Sequence, residues 1–228
     1  MKFTKLESGK SVNNQEITAF RNEIDSDRYI YLMAGVHGDE IEGVHCLKEL
    51  YSWLKEQSEE AIDLPLVVIP IVNVDGVQAG TRVNANGVDL NRNLPTASWD
   101  PNFEQDKYNP GKAPLSEPEN QYLDKLFKEY PPAFILSIHS WKPIINYNGD
   151  CKDVAELLAK HNEYPIADDI GYPTPGSLGT YGSIDLKAPV LTFECPTVDT
   201  GITVEEVWQE NEKGFKAILE EPILKRFL

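Results

Sequence analysis

The stretch "RYIYLMAGVHGDEIEG", residues 28–43, decides how the chain is to be read. Its first nine residues are an apolar run without clean alternation, the pattern of a strand covered on both faces. After the turn, Ile41, Val44, Cys46, Leu47, Leu50 and Leu54 recur near one face of an amphipathic helix. Between strand and helix stand His37 and Glu40. Open α/β sheets place their ligand sites just beyond the carboxyl ends of strands, where this pair lies.

Three more runs read as buried strands: "PLVVIPIV" (65–72), "PAFILSIH" (132–139) and "APVLTFEC" (188–195). Helical periodicity falls between and after them, in 116–130, 151–162 and 203–221. The second helix opens with Ser116 and Glu119 at capping-box spacing and Pro118 in its first turn. Strands alternating with helices imply an α/β fold, a mixed central sheet flanked by helices. Residues 73–118 are different, rich in Asn, Gly, Pro and Asp, and a loop region of that length inside a compact domain is usually functional or disordered. The expectation is one domain over residues 1–228.

Lys and Arg number 21 against 37 Asp and Glu, a formal charge of −16. That balance argues against a nucleic-acid or anionic-membrane surface, which calls for basic patches. No apolar stretch is long enough to span a bilayer, and the first twenty residues lack the apolar centre of a secretory signal. The three cysteines, Cys46, Cys151 and Cys195, are odd in number and widely spaced. A reducing compartment suits them better than a disulfide framework, so the expected location is the cytoplasm.

His37 and Glu40 alone are a weak sign of a metal. His139 and Glu194 strengthen it, since each ends an apolar strand, and burying a carboxylate is costly without a partner. Three strand ends bearing His and Glu, His, and Glu converge on a metal site with a spare carboxylate. His45 and His161 read as structural. The run "AGTRVNANGVDLNRNLP" (79–95) adds Arg82 and Arg92, whose planar forks match carboxylates and can stabilise an oxyanion.

The order His37, Glu40, Arg82, Asn91-Arg92, His139, Glu194 resembles the zinc carboxypeptidase (metallocarboxypeptidase) family over residues 29 to 196. "HGDE", "GVDLNRN", "PLSEPE", "HS" and "YPTPGSLG" look most like its bacterial murein peptide amidase A group. The resemblance implies a zinc-carboxypeptidase-like fold and one Zn²⁺ per chain on His37, Glu40 and His139, with an open position for water. It makes Glu194 the proton acceptor and donor, Arg82 the oxyanion partner, and Asn91 and Arg92 the grip on a substrate carboxylate. The implied reaction is cleavage of the γ-D-glutamyl–meso-diaminopimelate bond of small murein peptides during cell-wall recycling. Tyr181 is the expected mobile active-site tyrosine, with Tyr172 in reserve. Segment 171–183 reads either as a lip over the site or as a turn-rich connection, and Trp141 as a core residue.

Other readings are a carboxypeptidase on other peptides, an aspartoacylase- or succinylglutamate desuccinylase-like amidase, and a zinc-stabilised peptide-binding module. A serine hydrolase built on Ser140 lacks a G-x-S-x-G elbow, and His139 and Ser140, adjacent on a strand, point to opposite faces.

Overall fold

The computed structural model describes residues 1–58 and 60–228. Its ten strands are β1 (Phe3–Lys5), β2 (Gly9–Lys10), β3 (Glu16–Ile17), β4 (Phe20–Asn22), β5 (Tyr29–Ala34), β6 (Leu66–Ile69), β7 (Pro132–Trp141), β8 (Ile144–Asn148), β9 (Ile166–Ala167) and β10 (Val190–Pro196). Its helices are α1 (Ile41–Glu56), α2 (Val74–Ala79), α3 (Pro118–Glu129), α4 (Lys152–Asn162), the one-turn α5 (Leu178–Thr180) and α6 (Val204–Glu220). Eight strands form a mixed sheet in the order β1-β4-β6-β5-β7-β10-β8-β9, and β2 pairs with β3 separately.

The four apolar runs are the parallel centre of that sheet, β6-β5-β7-β10. They are apolar throughout because each face meets a different layer. Along β5, Ile30, Leu32 and Ala34 join Cys46, Leu47 and Leu50 of α1, Leu158 of α4 and Phe215 of α6. Tyr31 and Met33, on the other face, join Leu123, Leu126 and Phe127 of α3 together with Leu90, Leu94 and Tyr181. Side chains alternate across a strand, so one hexapeptide serves both cores. Each buried Leu of α1 contributes about 1.5–3 kcal/mol relative to exposure. Among the described residues, no helix is long and apolar enough to cross a membrane.

Parallel pairing is what gathers the site. β5, β7 and β10 end at the same sheet edge, and Glu194 and His139 are register partners across β10 and β7. Helix α1 leaves that edge directly after Glu40, its N-cap residue. The Glu40 side chain makes no cap hydrogen bond there, being turned to the histidines instead.

Several local expectations are corrected. Ser116 and Glu119 form no capping box; the N-cap of α3 is Glu117, whose carboxylate accepts from Asn84, Asn86 and Ser116. A capping box does exist at Thr203 and Glu206, opening α6. Ile41 is 44% exposed, while Glu42 and Gly43 are buried in its place. Trp141 is 43% exposed, outside the core.

Gly43 shows how tightly α1 is held. A Cβ there would lie 2.7 Å from the Ile138 carbonyl oxygen and 3.2 Å from the His139 nitrogen. The obstruction is backbone, so the helix and strand must separate to admit a methyl group. Gly43→Ala should therefore cost about 1–3 kcal/mol by chemical denaturation. It should also weaken metal retention, because it moves Glu40 relative to His139; unchanged stability would mean that α1 can shift freely over β7.

Candidate metal centre and active-site cleft

His37, Glu40 and His139 present ligand atoms that all lie within 4.8 Å of one another. Glu40 sits between the rings, with Oε1 2.7 Å from His37 Nδ1 and Oε2 2.7 Å from His139 Nδ1. The two Nδ1 atoms are 3.2 Å apart. All three residues are buried. Each ring has its other nitrogen occupied: His37 Nε2 is 3.1 Å from Asp89 Oδ1, and His139 Nε2 is 3.0 Å from Ser137 Oγ. Those outer contacts fix the ring orientations and leave both Nδ1 atoms facing Glu40, the arrangement metal-binding histidines use. Two imidazoles and a carboxylate are a catalytic zinc donor set, so the residues fit that ion.

The electrostatics agree. Burial works against a charge on His37, but Glu40 foremost, with Asp89, raises it from 6.5 to about 9. Burial likewise opposes ionisation of Glu40, yet His37 and His139 hold it well below the ordinary carboxylate range. A carboxylate bracketed by imidazoles in this way favours a cation at their centre.

Asp89 is the organiser that sequence reading passed over. It is fully buried, and its Oδ1 accepts from the Asn91 backbone nitrogen at 2.8 Å besides meeting His37. Its Oδ2 accepts from Arg82 Nε at 3.1 Å and Nη2 at 3.0 Å. One carboxylate thus orients a candidate ligand, the candidate oxyanion arginine and the start of the Asn91-Arg92 turn. The signal was present in "GVDLNRN": an acid between two apolar residues and beside arginines needs a partner.

A cavity of about 580 Å³ opens over this cluster, lined among others by Glu42, Arg82, Asn91, Arg92, Trp141, Tyr172 and Glu194. Arg82 also approaches Glu40 at 3.5 Å, and Tyr108 receives Arg82 and Arg92 on its ring at 5.4 and 5.6 Å. Arg92 is 5% exposed and donates from Nη1 to the Asn91 carbonyl. Among the described residues no carboxylate lies within ion-pair distance of it, though its charge acts on the Asp89 carboxylate, and it lines the cavity. Asn91 Oδ1 accepts from the Leu178 nitrogen at 2.8 Å, which ties the arginine turn to segment 171–183.

Glu194 lines the same cavity, and its Oε2 is buried with no hydrogen-bond partner among the described residues. Burial first, then the nearby charge of Glu40, raises its pKa from 4.5 to about 7. Glu42 and Asp39 line the cavity beside the metal cluster without joining it. The Glu42 carboxylate accepts from Ser140 Oγ and from the Val198 nitrogen, both at 2.6 Å. That bond occupies the Ser140 hydroxyl and pins the loop after β10 to α1.

Tyr181 is not in the cavity. It is 6% exposed, and its hydroxyl donates to Asp124 Oδ1 at 2.7 Å on the α3 side of the sheet. The π-helical turn after α5 turns it inward. Tyr172, 40% exposed, lines the cavity instead and meets Trp141 edge-on at 6.2 Å. Segment 171–183 does wall the site, through Tyr172, Thr174, Ser177 and Gly179. His45 and His161 lie outside it.

Removing the charge of Asp89 should show its reach. Asp89→Asn is expected to weaken zinc binding about 10–100-fold, measured by competition with a chromophoric chelator. Unaltered affinity would mean that His37 needs no partner on Nε2.

Comparison with known proteins places the chain. The zinc carboxypeptidase family profile matches residues 2–206. Murein peptide amidase A of Vibrio campbellii is 32% identical over 212 residues, covering 87% of this chain and 82% of that protein. The protein of the same name from Escherichia coli K12 is 34% identical over 180 residues, covering 74% and 72%. The crystal structure of a murein-tripeptide amidase from E. coli O157 superposes with a TM-score of 0.75 at 30% identity, covering 93% of this chain and 90% of that one. A carboxypeptidase A from Helicoverpa armigera shares the fold at a TM-score of 0.78 and 18% identity, over 99% of this chain and 68% of that one. The chain is a hydrolytic metallopeptidase that belongs to the zinc carboxypeptidase family.

Proposed function

We propose that this protein hydrolyses the γ-D-glutamyl–meso-diaminopimelate bond of small murein peptides, as one domain with one zinc ion in the cytoplasm. The observation that carries the reading is Glu194, a buried carboxylate with an unpartnered oxygen in the same cavity as the two-histidine, one-carboxylate donor set. A structural metal site needs no such group. The murein peptide amidases found among the relatives support the substrate. Three free, buried cysteines suit a reducing compartment.

Bound to His37, Glu40 and His139, zinc supplies Lewis acidity toward a carbonyl oxygen and lowers the pKa of water. The chain's own groups do the rest. Arg92, with the side-chain amide nitrogen of Asn91, takes the carboxylate of the residue to be released and sets the register of the scissile bond. Glu194 accepts a proton from the attacking water and later delivers one to the leaving amine. Arg82, steadied by Asp89, faces the oxygen on which negative charge develops. Tyr172 replaces Tyr181 as the tyrosine placed to close over substrate. Ser140 has its hydroxyl committed to Glu42, which weighs against a serine nucleophile.

Purified protein should release diaminopimelate from L-Ala-γ-D-Glu-meso-diaminopimelate, lose that activity on chelation and regain it with zinc. Retained activity after complete metal removal would sink the mechanism. Glu194→Gln should lower kcat about 10²–10⁴-fold with zinc still bound; full activity would remove Glu194 from the proton path.

Stability gives a separate readout. The folded pKa of Glu194 lies above its ordinary value of 4.5, so folded protein holds this proton more tightly. The stability from that proton is present below 4.5 and is lost as pH rises through about 7. Glu194→Gln is free of that loss. Compared after chelation, the variant should melt above wild type at pH 8, and the gap should close toward pH 4.5. Equal melting at pH 8 would show a solvated Glu194.

A further inference from the structure

We infer that Asn148 is a site of covalent modification: in the folded protein it deamidates through attack by the backbone nitrogen of Gly149, while Asn86, before Gly87, is held intact. Nothing in this chemistry depends on the reaction performed in the cavity.

The sequence contains two Asn-Gly pairs, 86–87 in "NANGV" and 148–149 in "NYNGD". Asparagine is among the thermolabile side chains. A glycine after it leaves the attacking nitrogen unshielded and opens backbone conformations closed to other residues. Which pair reacts then depends on what holds each amide in place.

At Asn86 each reacting group is engaged. Its Nδ2 donates to Glu117 Oε2 at 2.8 Å, and its backbone nitrogen donates to Asn84 Oδ1 at 3.0 Å. Glu117 is buried, so the amide is tied to a fixed carboxylate. The nucleophile is occupied as well: the Gly87 nitrogen donates to the Asn84 carbonyl at 2.9 Å.

Asn148 is the contrary case. It ends β8, and its pairing with Val190 is the last of the ladder between β8 and β10. Its partly buried side chain lies against Gly179, where a Cβ would come within 2.2 Å of Asn148 Oδ1. Among the described residues that side chain has no hydrogen-bond partner, and the Gly149 nitrogen donates to none. Gly149 is exposed, so solvent reaches the attacking atom. Glycine is also fixed at this position. Its φ is +84°, and a Cβ there would lie 3.3 Å from Pro189 Cα and 3.4 Å from Ser183 Cβ. The reactive pair is therefore built into the turn between β8 and α4.

The step needs only water. The Gly149 nitrogen loses its proton to a solvent base and bonds to Asn148 Cγ; the Cγ–Nδ2 bond breaks and ammonia leaves. Water then opens the succinimide ring at one carbonyl or the other, giving aspartate or isoaspartate at position 148. Either product puts a negative charge on the cavity wall, which Asn148 lines. Isoaspartate also adds a methylene to the main chain at the end of β8.

The test is peptide mapping of protein aged at pH 8, either folded with zinc or unfolded in guanidinium chloride, with mass spectrometry reading acid against amide at each pair. Each rate in the folded protein is taken relative to that of the same pair in denaturant. On that scale Asn148 should convert about 10-fold or more faster than Asn86, the factor set by breaking a hydrogen bond to a charged acceptor. Isoaspartate labelled by an isoaspartyl methyltransferase in aged, folded protein should fall to background in Asn148→Gln and persist in Asn86→Gln, because the longer side chain closes its ring far more slowly. Equal relative rates at the two pairs, or a faster Asn86, overturn the inference. So does an Asn148 that stays an amide while the denatured chain converts, or label that survives Asn148→Gln.

Discussion

A single carboxylate held between two imidazoles governs the architecture of this site. Glu40 reaches His37 with one oxygen and His139 with the other, and it comes from the turn where β5 gives way to α1. Three titratable groups are thereby buried together, an arrangement that survives only with each group partnered. Their further partners radiate outward: Asp89 behind His37, Ser137 behind His139, and the Ser140 nitrogen on Glu40 itself. Glu40 is used for this purpose even though its backbone position would let it cap the helix.

Asp89 carries the same logic into residues 73–118. That stretch has only short α2 and two brief 3₁₀ turns of its own, yet it holds both arginines. What orders it is polar: Asp89 to Arg82, Asn84 and Asn86 to Glu117, Asn93 to the Pro110 and Ala113 carbonyls, and Tyr108 between two guanidinium groups. Satisfying buried polar groups against one another is how a loop can lie inside a fold. Within this network, among the described residues, Arg82 pairs directly with carboxylates and Arg92 does not.

The central strands and long helices were legible because burial on both faces leaves continuous apolar runs, and α1, α3, α4 and α6 carry amphipathic periodicity. β8 was not, since "IINYN" alternates core Ile145 with cavity-facing asparagines and resembles a loop. The sequence also suggested His37, Glu40, Arg82, Asn91, Arg92, His139 and Glu194 as site residues, and the fold brings all but His139 to the lining of one cavity. His139 lies beneath that cavity, among the ligand atoms. The choice between Tyr181 and Tyr172 was not legible: both lie in a Gly- and Pro-rich segment, and only the π-helical turn after Thr180 directs one of them inward. Asp89 escaped because its partner His37 lies 52 residues away, where no periodicity connects them.

The parallel arrangement of β5, β7 and β10 has a kinetic consequence. His37 and His139, whose rings stand side by side, are separated by 102 residues of chain, and Glu194 follows later still. Such contacts have high sequence separation, and each needs the entropy cost of closing a long loop before it contributes stability. A partly synthesised chain holds the first two donors but cannot complete the cluster. The candidate site is therefore complete only when β5, β7 and β10 have all joined the sheet.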